Sequence, residues 1–192
     1  MSLIYVGPPR RYLDHMRHLG LLTSRCVLGG YLAVHGAQKL FGSFGGHGLD
    51  ATAAGFDSMG MRPGKAMAVL AGASELGGGV LTATGIGDPL GPLAIAGTMA
   101  VASAVHRKQG PLAQNGGFEL PLTNLALAVG LVSSGPGRFR LGPRLPKSLI
   151  RLSAGGGIAL AAVSLAQILQ AEPAGTAGKE DSGTPEAGAA EA

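Results

Sequence analysis

The chain has 192 residues, of which 46% are hydrophobic and only 14% are charged, and its mean hydropathy is +0.30. A soluble domain carries about 25% charged residues, so this composition argues against a water-soluble protein and favours an integral membrane protein. The net charge of +4 does not indicate nucleic-acid binding, because the basic residues cluster beside apolar segments, as in loops that face anionic lipid.

Residues 1–20 form a basic segment that we expect on the cytoplasmic side. A cleavable signal peptide would need a shorter apolar stretch and a small-residue cleavage site, whereas the apolar run here continues to Lys39. We therefore predict a retained first span. His15 and His18 lie among charged neighbours, which indicates a solvated juxtamembrane helix and no metal site. The single cysteine, Cys26, excludes an internal disulfide, a CxxC redox pair and a cysteine-bound metal cluster.

Four segments are candidates to cross a bilayer core, which needs roughly 20 apolar residues. They lie at about 22–42, 65–87, 89–106 and 118–134, and they predict an all-α transmembrane four-helix bundle over residues 21–137. A basic linker at 138–151 leads to a fifth apolar run at 152–170, which either spans the bilayer or lies flat at its interface. Residues 171–192 are polar and predict a disordered acidic tail.

Lysine and arginine counts set the orientation of the predicted bundle. With the N-terminus in the cytoplasm, nine basic residues lie inside and four outside. The inner set is Arg10, Arg11, Arg17, Arg25, Arg138, Arg140, Arg144, Lys147 and Arg151, and the outer set is Arg62, Lys65, Arg107 and Lys108. Small residues recur at every fourth position in three spans, which predicts close helix packing: Gly29, Ala33, Ala37; Ala96, Ala100, Ala104; Ala126, Gly130, Ser134.

Polar side chains interrupt these spans at corresponding depths. A charge left uncompensated at the centre of a membrane helix costs at least about 2.5–3.5 kcal/mol. We therefore predict a polar intramembrane cluster, open toward the outer leaflet, of His35, Gln38, Lys39, Glu75 and Glu119. Glu75 lies deepest and is the best single candidate for function. For Lys39 the alternative is a side chain that reaches to the interface, and for Glu119 it is compensation of the helix dipole.

Arg25 is interpreted as an inner-leaflet anchor whose side chain reaches to the interface. No catalytic residue is assigned from these patterns.

Four stretches in order, "HGAQKLFGSFGGHG", "AGASELGGGVLTATG", "GTMAVASAVH" and "NGGFELPLTNLALAV…GPGRF", resemble the DoxX family of small bacterial membrane proteins over roughly residues 20–141. The characteristic positions of the family fall on Gly36, Lys39, Gly42, Gly60, Pro63, Glu75, Gly78, Gly79, Glu119, Gly135, Pro136, Gly137 and Arg138. The chain departs from the family at its "GPGRFRLG", where Arg140 and Gly142 replace a serine and an aspartate that family members often carry.

The resemblance implies a multi-pass, four-helix protein of the bacterial cytoplasmic membrane that is associated with sulfur metabolism, redox chemistry or oxidative stress. Related proteins are linked to quinone-reducing thiosulfate oxidation. Mycobacterial members are linked to a membrane complex with superoxide dismutase and a sulfurtransferase. The lipid bilayer, superoxide dismutase and a sulfurtransferase are therefore the expected partners.

Three functional hypotheses follow. The first is a non-catalytic membrane subunit or scaffold that assembles redox or sulfur-metabolism enzymes, with the basic linker 138–151 as a docking segment or a lipid-headgroup contact. The second is a quinone-interacting oxidoreductase subunit, in which the polar cluster delivers protons and a partner supplies electrons. The third is a small-molecule transporter or channel subunit. No cofactor is evident from the residues; quinone is the candidate, and a haem between His35 and His106 is a weaker alternative.

Overall fold

The computed structural model describes residues 9–142 and 145–170. In this part of the chain six α-helices and no strand are present: α1 (Arg10–Phe41), α2 (Gly48–Ser58), α3 (Gly64–Thr84), α4 (Leu90–Val105), α5 (Glu119–Ser134) and α6 (Lys147–Gln170). Short 3-10 helices at Ser43–Gly45, His106–Gln109 and Ala113–Asn115 lie in the connections. The predicted all-α class is confirmed.

The helices follow the predicted order, with two differences. The first helix begins at Arg10, so most of the basic N-terminal segment is continuous with the first predicted span. The second difference is α2, which was not predicted because "GLDATAAGFDS" is too short and too polar to resemble a span. The fifth apolar run forms α6. The predicted acidic tail lies outside the described residues.

Among the described residues, two helices, Gly64–Thr84 and Ser148–Gln170, are long and apolar enough to cross a membrane, and Glu119–Ser134 is a shorter apolar helix. Large apolar side chains also point outward, including Val27 and Phe41 on α1, which are 64% and 70% exposed. Soluble monomers rarely expose extended apolar surface, so this outer surface suits lipid.

Glycine allows α1 and α3 to pack with their backbones in contact. A β-carbon on Gly36 would lie 2.3 Å from the backbone nitrogen of Leu76, and one on Gly29 would lie 2.5 Å from the carbonyl oxygen of Gly79. Because residue numbers fall along α1 as they rise along α3, the two helices run antiparallel. The predicted small-residue face on α5 behaves differently, since a β-carbon on Gly130 would meet no heavy atom within 4 Å.

A core between α1, α4 and α5 completes the bundle. It consists of Leu28, Leu32, Ile95, Met99, Ala128 and Leu131. The sixth helix packs against α4. Leu145, just before α6, lies 3.6 Å from where a β-carbon on Gly87 would stand, and Gln167 near the end of α6 donates to the carbonyl oxygen of Arg62 at 3.1 Å. The sixth helix therefore runs the length of the bundle, from the α3–α4 turn to the loop before α3.

Candidate functional site

Lys39 of α1 and Glu75 of α3 form an ion pair inside the bundle. The Lys39 Nζ donates to both carboxylate oxygens of Glu75, with a distance of 2.5 Å to Oε2. The Glu75 residue is only 2% exposed, whereas the Lys39 side chain is 29% exposed. The carboxylate is thus the buried partner, and the ammonium reaches it from a more accessible position.

Helix geometry explains why these two residues meet although α1 places Lys39 near its end. Glu75 lies roughly 16 Å along α3 from Gly64, at a rise of 1.5 Å per residue. Gly36 is the α1 residue that packs beside Leu76, so Lys39 starts nearly one turn closer to the end of the bundle. Side chains on a helix tilt toward its N-terminus. For α1 that direction leads deeper into the bundle, toward Glu75.

A large apolar cavity of about 770 Å³ lies beside the ion pair. Its walls come from α2 and the loop after it, α3, α4 and α6. Most of the lining side chains are apolar or glycine, and the polar ones are Lys39, Ser74, Glu75, Thr98, His106 and Ser164. The Thr98 hydroxyl already donates to the Ala94 carbonyl of its own helix at 3.1 Å. The cavity therefore offers a ligand a long apolar surface with the Lys39–Glu75 pair as its charged feature.

A second, smaller cavity of about 300 Å³ also lies beside Lys39. Its lining is polar or glycine: His35, Gln38, Lys39, Gly45, Gly46, His47 and Thr52. Lys39 contributes to the walls of both cavities. Lys39 is therefore shared by a polar space near the end of the bundle and an apolar space inside it.

Two other predicted cluster residues, His35 and Gln38, line the polar cavity rather than the apolar one. His35 is half-buried, and its ring meets that of Tyr31 edge to face with the centroids 4.8 Å apart. The Gln38 amide donates to the carbonyl oxygen of Phe44 at 3.3 Å, which ties the loop after α1 back onto the helix. Gln38 thus shapes the cavity by holding its loop.

Glu119, the remaining predicted cluster member, takes another partner. It is exposed, it is the first residue of α5, and its carboxylate accepts a hydrogen bond from the backbone N–H of Ala113 at 2.9 Å. This geometry fits the alternative interpretation, a carboxylate at a helix N-terminus. Of the two histidines considered for a haem, His35 lines the polar cavity and His106 the apolar one.

Arg25 corrects one prediction. It is 2% exposed rather than extended toward the interface. Its Nε and Nη2 donate to the carbonyl oxygens of Thr82 and Ala83, each at 3.0 Å, and its Nη1 donates to the carbonyl oxygen of Pro136. The guanidinium joins the end of α3 to the turn after α5. Without Arg25, eight basic residues remain on the predicted inner side against four on the predicted outer side. The predicted orientation, with the N-terminus inside, is therefore unchanged.

The family-motif glycines and prolines mostly shape backbone. Gly42 ends α1 in the left-handed region with φ +69°, and Gly135 and Gly137 flank the buried Pro136 with φ +72° and +74°. Pro63 precedes α3, and Gly78 and Gly79 pack closely on α4 and α1. Arg138 is exposed. Within the described residues no group of three or more His, Cys, Asp or Glu side chains could hold a metal ion.

Comparison with protein families gives one finding. A family model described as DoxX matches residues 20–107, which covers α1 from Gly20 onward through α4 and includes both members of the ion pair. The "GPGRF" stretch and α6 lie beyond the matched residues. Comparisons with curated proteins and with solved structures gave no match.

Proposed function

Because this chain belongs to the DoxX family of membrane proteins through residues 20–107, we propose that it is a multi-pass membrane subunit of a redox complex and holds a quinone in its apolar cavity. The observation that carries this proposal is the cavity of about 770 Å³ with a buried ion pair in its wall. Ligand sites are typically cavities of this size, lined by apolar side chains and a few polar groups.

The charge of the ion pair selects the kind of head group. Both oxygens of Glu75 accept from the Lys39 ammonium, so the site is neutral as a whole. A carboxylate or phosphate head group would be repelled by the carboxylate of Glu75, and an ammonium head group would be repelled by the ammonium of Lys39. A neutral carbonyl oxygen avoids both repulsions and accepts a hydrogen bond from the remaining N–H of the ammonium. This combination favours a quinone over a fatty acid or a phospholipid.

The position of Lys39 also suits proton delivery. Reduction of a quinone consumes electrons and protons in equal number, and a partner protein would supply the electrons. Lys39 lines both the polar cavity near the end of the bundle and the apolar cavity. Lys39 and Glu75 would pass protons one at a time to the quinone oxygens. Superoxide dismutase and a sulfurtransferase, which the family resemblance implies, are the first partners to test.

A direct test is photolabelling of the purified protein in lipid nanodiscs with a photoreactive azidoquinone. We expect labelled residues on the cavity walls of α3 and α4, and competition by excess decylubiquinone. Glu75→Gln removes the carboxylate that holds the Lys39 ammonium beside the cavity, and it should lower labelling by about tenfold, the equivalent of 1.4 kcal/mol of lost head-group binding. Glu119→Gln is the matched control, because it makes the same change at an exposed site. Equal labelling of the two variants would overturn the proposal.

We also propose that the bundle lies in the bacterial cytoplasmic membrane with its N-terminus inside, and that α6 is a fifth span. The contacts at Leu145 and Gln167 support this, since they place the two ends of α6 at opposite ends of the bundle. A Cys26→Ser background with single cysteines at Arg10, Ser58 or Gln170 tests it. An impermeant maleimide applied to intact cells should label positions 58 and 170 but not 10. Labelling at 10, or none at 170, contradicts this topology.

Affinity purification from native membranes tests the membership of a complex. Co-purification of superoxide dismutase, a sulfurtransferase or a quinone-linked enzyme would support it. Recovery of the protein alone, together with solute flux in reconstituted vesicles, would instead favour a transporter.

A further inference from the structure

We infer that α6 is the wall of the apolar cavity that determines ligand specificity. Its small side chains set the size of the ring and tail of a neutral, lipid-like ligand that can fit beside Lys39 and Glu75. This inference rests on the proposed ligand class but concerns a different part of the molecule. The ion pair would recognise the polar head of the ligand, whereas α6 would limit its apolar part.

One face of α6 forms this wall. Its lining residues recur three or four positions apart, as neighbours on a helix surface do: Ala154, Gly157, Ile158, Ala161, Ala162, Ser164 and Leu165. Apart from Ile158, the middle of this face is made of alanine and glycine. A β-carbon on Gly157 would meet no heavy atom within 4 Å, so larger side chains on this face would extend into open space. The cavity is therefore wide because these side chains are small.

Contacts near both ends hold α6 in place. Leu145 packs at Gly87 before the helix begins, and the Gln167 amide donates to the carbonyl oxygen of Arg62 at 3.1 Å. Close to that second contact, Ser164 and Ile168 are 7% and 8% exposed. A helix that is fixed at its ends confines the ligand through the size of its side chains.

The residues that would recognise the polar head of the ligand and the helix that would limit its apolar part lie in different regions of the chain. Lys39, Glu75 and the α3 and α4 walls fall within the residues matched by the family model, 20–107, and α6 lies outside them. Changes in α6 can therefore alter which apolar group fits while the ion pair stays unchanged. We expect α6 variants to change ligand binding without loss of the Lys39–Glu75 contact.

The test compares two identical substitutions on the same helix. Ala161→Leu adds an isopropyl group to the cavity face. Ala159→Leu adds the same group roughly 160° around the helix from Ala161, at an exposed position. In nanodiscs, photolabelling of the α4 wall by an azidoquinone with a decyl tail should fall by about tenfold in Ala161→Leu, the equivalent of 1.4 kcal/mol. It should stay within about twofold in Ala159→Leu. Far-UV circular dichroism confirms that both variants fold.

A second probe, an alkyl diazirine without a quinone head, separates the two proposals. If this probe labels the α4 wall and Ala161→Leu blocks it, while the azidoquinone labels nothing, the quinone assignment fails and the role of α6 stands. If the azidoquinone labels wild type and both α6 variants equally, the quinone assignment stands and the role of α6 is overturned. Absence of cavity labelling by either probe in wild type overturns both.

Discussion

Removal of Lys39 should destabilise the protein more than removal of Glu75, although both substitutions break the same ion pair. Lys39→Met leaves the Glu75 carboxylate, which is 2% exposed, without a partner beside an apolar cavity. Loss of one member of a buried ion pair costs about 3–5 kcal/mol of unfolding free energy, because the remaining charge is uncompensated.

Glu75→Gln leaves the other charge in a different position. The Lys39 side chain is 29% exposed and lines the polar cavity, so the freed ammonium can be hydrated there. The glutamine retains the volume of the glutamate. We expect Glu75→Gln to lower the free energy of unfolding by about 1–3 kcal/mol, which is typical of an unsatisfied polar group. In the double variant no buried charge remains at this site, so addition of Glu75→Gln to Lys39→Met should restore at least about 1 kcal/mol of unfolding free energy.

The chain contains no tryptophan, so denaturation in mixed micelles is best followed by far-UV circular dichroism. Lys65→Met is the control, because its ion pair with Asp50 is long, at 3.6 Å, and exposed; it should cost no more than about 1 kcal/mol. Equal losses of unfolding free energy for Lys39→Met and Glu75→Gln, or a double variant less stable than Lys39→Met, would refute this reasoning. Either result would show that the unpaired buried carboxylate is not the main source of the destabilisation.

Three further substitutions test other contacts by the same measurement. Gly36→Ala should lower the free energy of unfolding by about 1–3 kcal/mol, since its β-carbon would lie 2.3 Å from a backbone nitrogen of α3. Gly30→Ala on the same helix meets nothing within 4 Å and should be neutral or stabilising. Equal effects of the two substitutions would contradict the α1–α3 packing. Arg25→Met should lower the free energy of unfolding by at least about 3 kcal/mol, because it leaves three carbonyl oxygens without their charged donor. A loss as small as that at a surface residue would show that the guanidinium lies elsewhere. Gly137→Ala should cost about 1–2 kcal/mol because φ is +74° there; an unchanged midpoint would exclude this backbone conformation.

Depth along a helix was the most informative quantity in the sequence. The apolar runs and a fixed rise per residue place Glu75 near the middle of the second predicted span, and the cost of an isolated charge there predicts a partner. The structure supplies Lys39 as that partner. The same reasoning placed Glu119 beside Lys39, but depth gives no information on the direction in which a helix presents a side chain. Glu119 is exposed and faces the loop before α5.

The sequence could not reveal interactions that depend on backbone atoms. The partners of Arg25 are carbonyl oxygens, which every residue carries, so no pattern of side chains marks them. The helix α2 escaped prediction for a related reason. Its short amphipathic sequence forms a helix in contact with α3, and tertiary packing supplies most of the stability of such short helices.

Arg25 and Glu75 show two ways to hold a charge inside this bundle, and the difference bears on function. Three backbone carbonyls accept hydrogen bonds from Arg25, and the residue lines neither cavity. Its charge is used to join helices. Glu75 relies on one flexible side chain that is itself partly exposed, and both residues of that pair face open space. A charge held only for stability would be better served by rigid backbone partners, so the Lys39–Glu75 pair is where ligand chemistry should be sought.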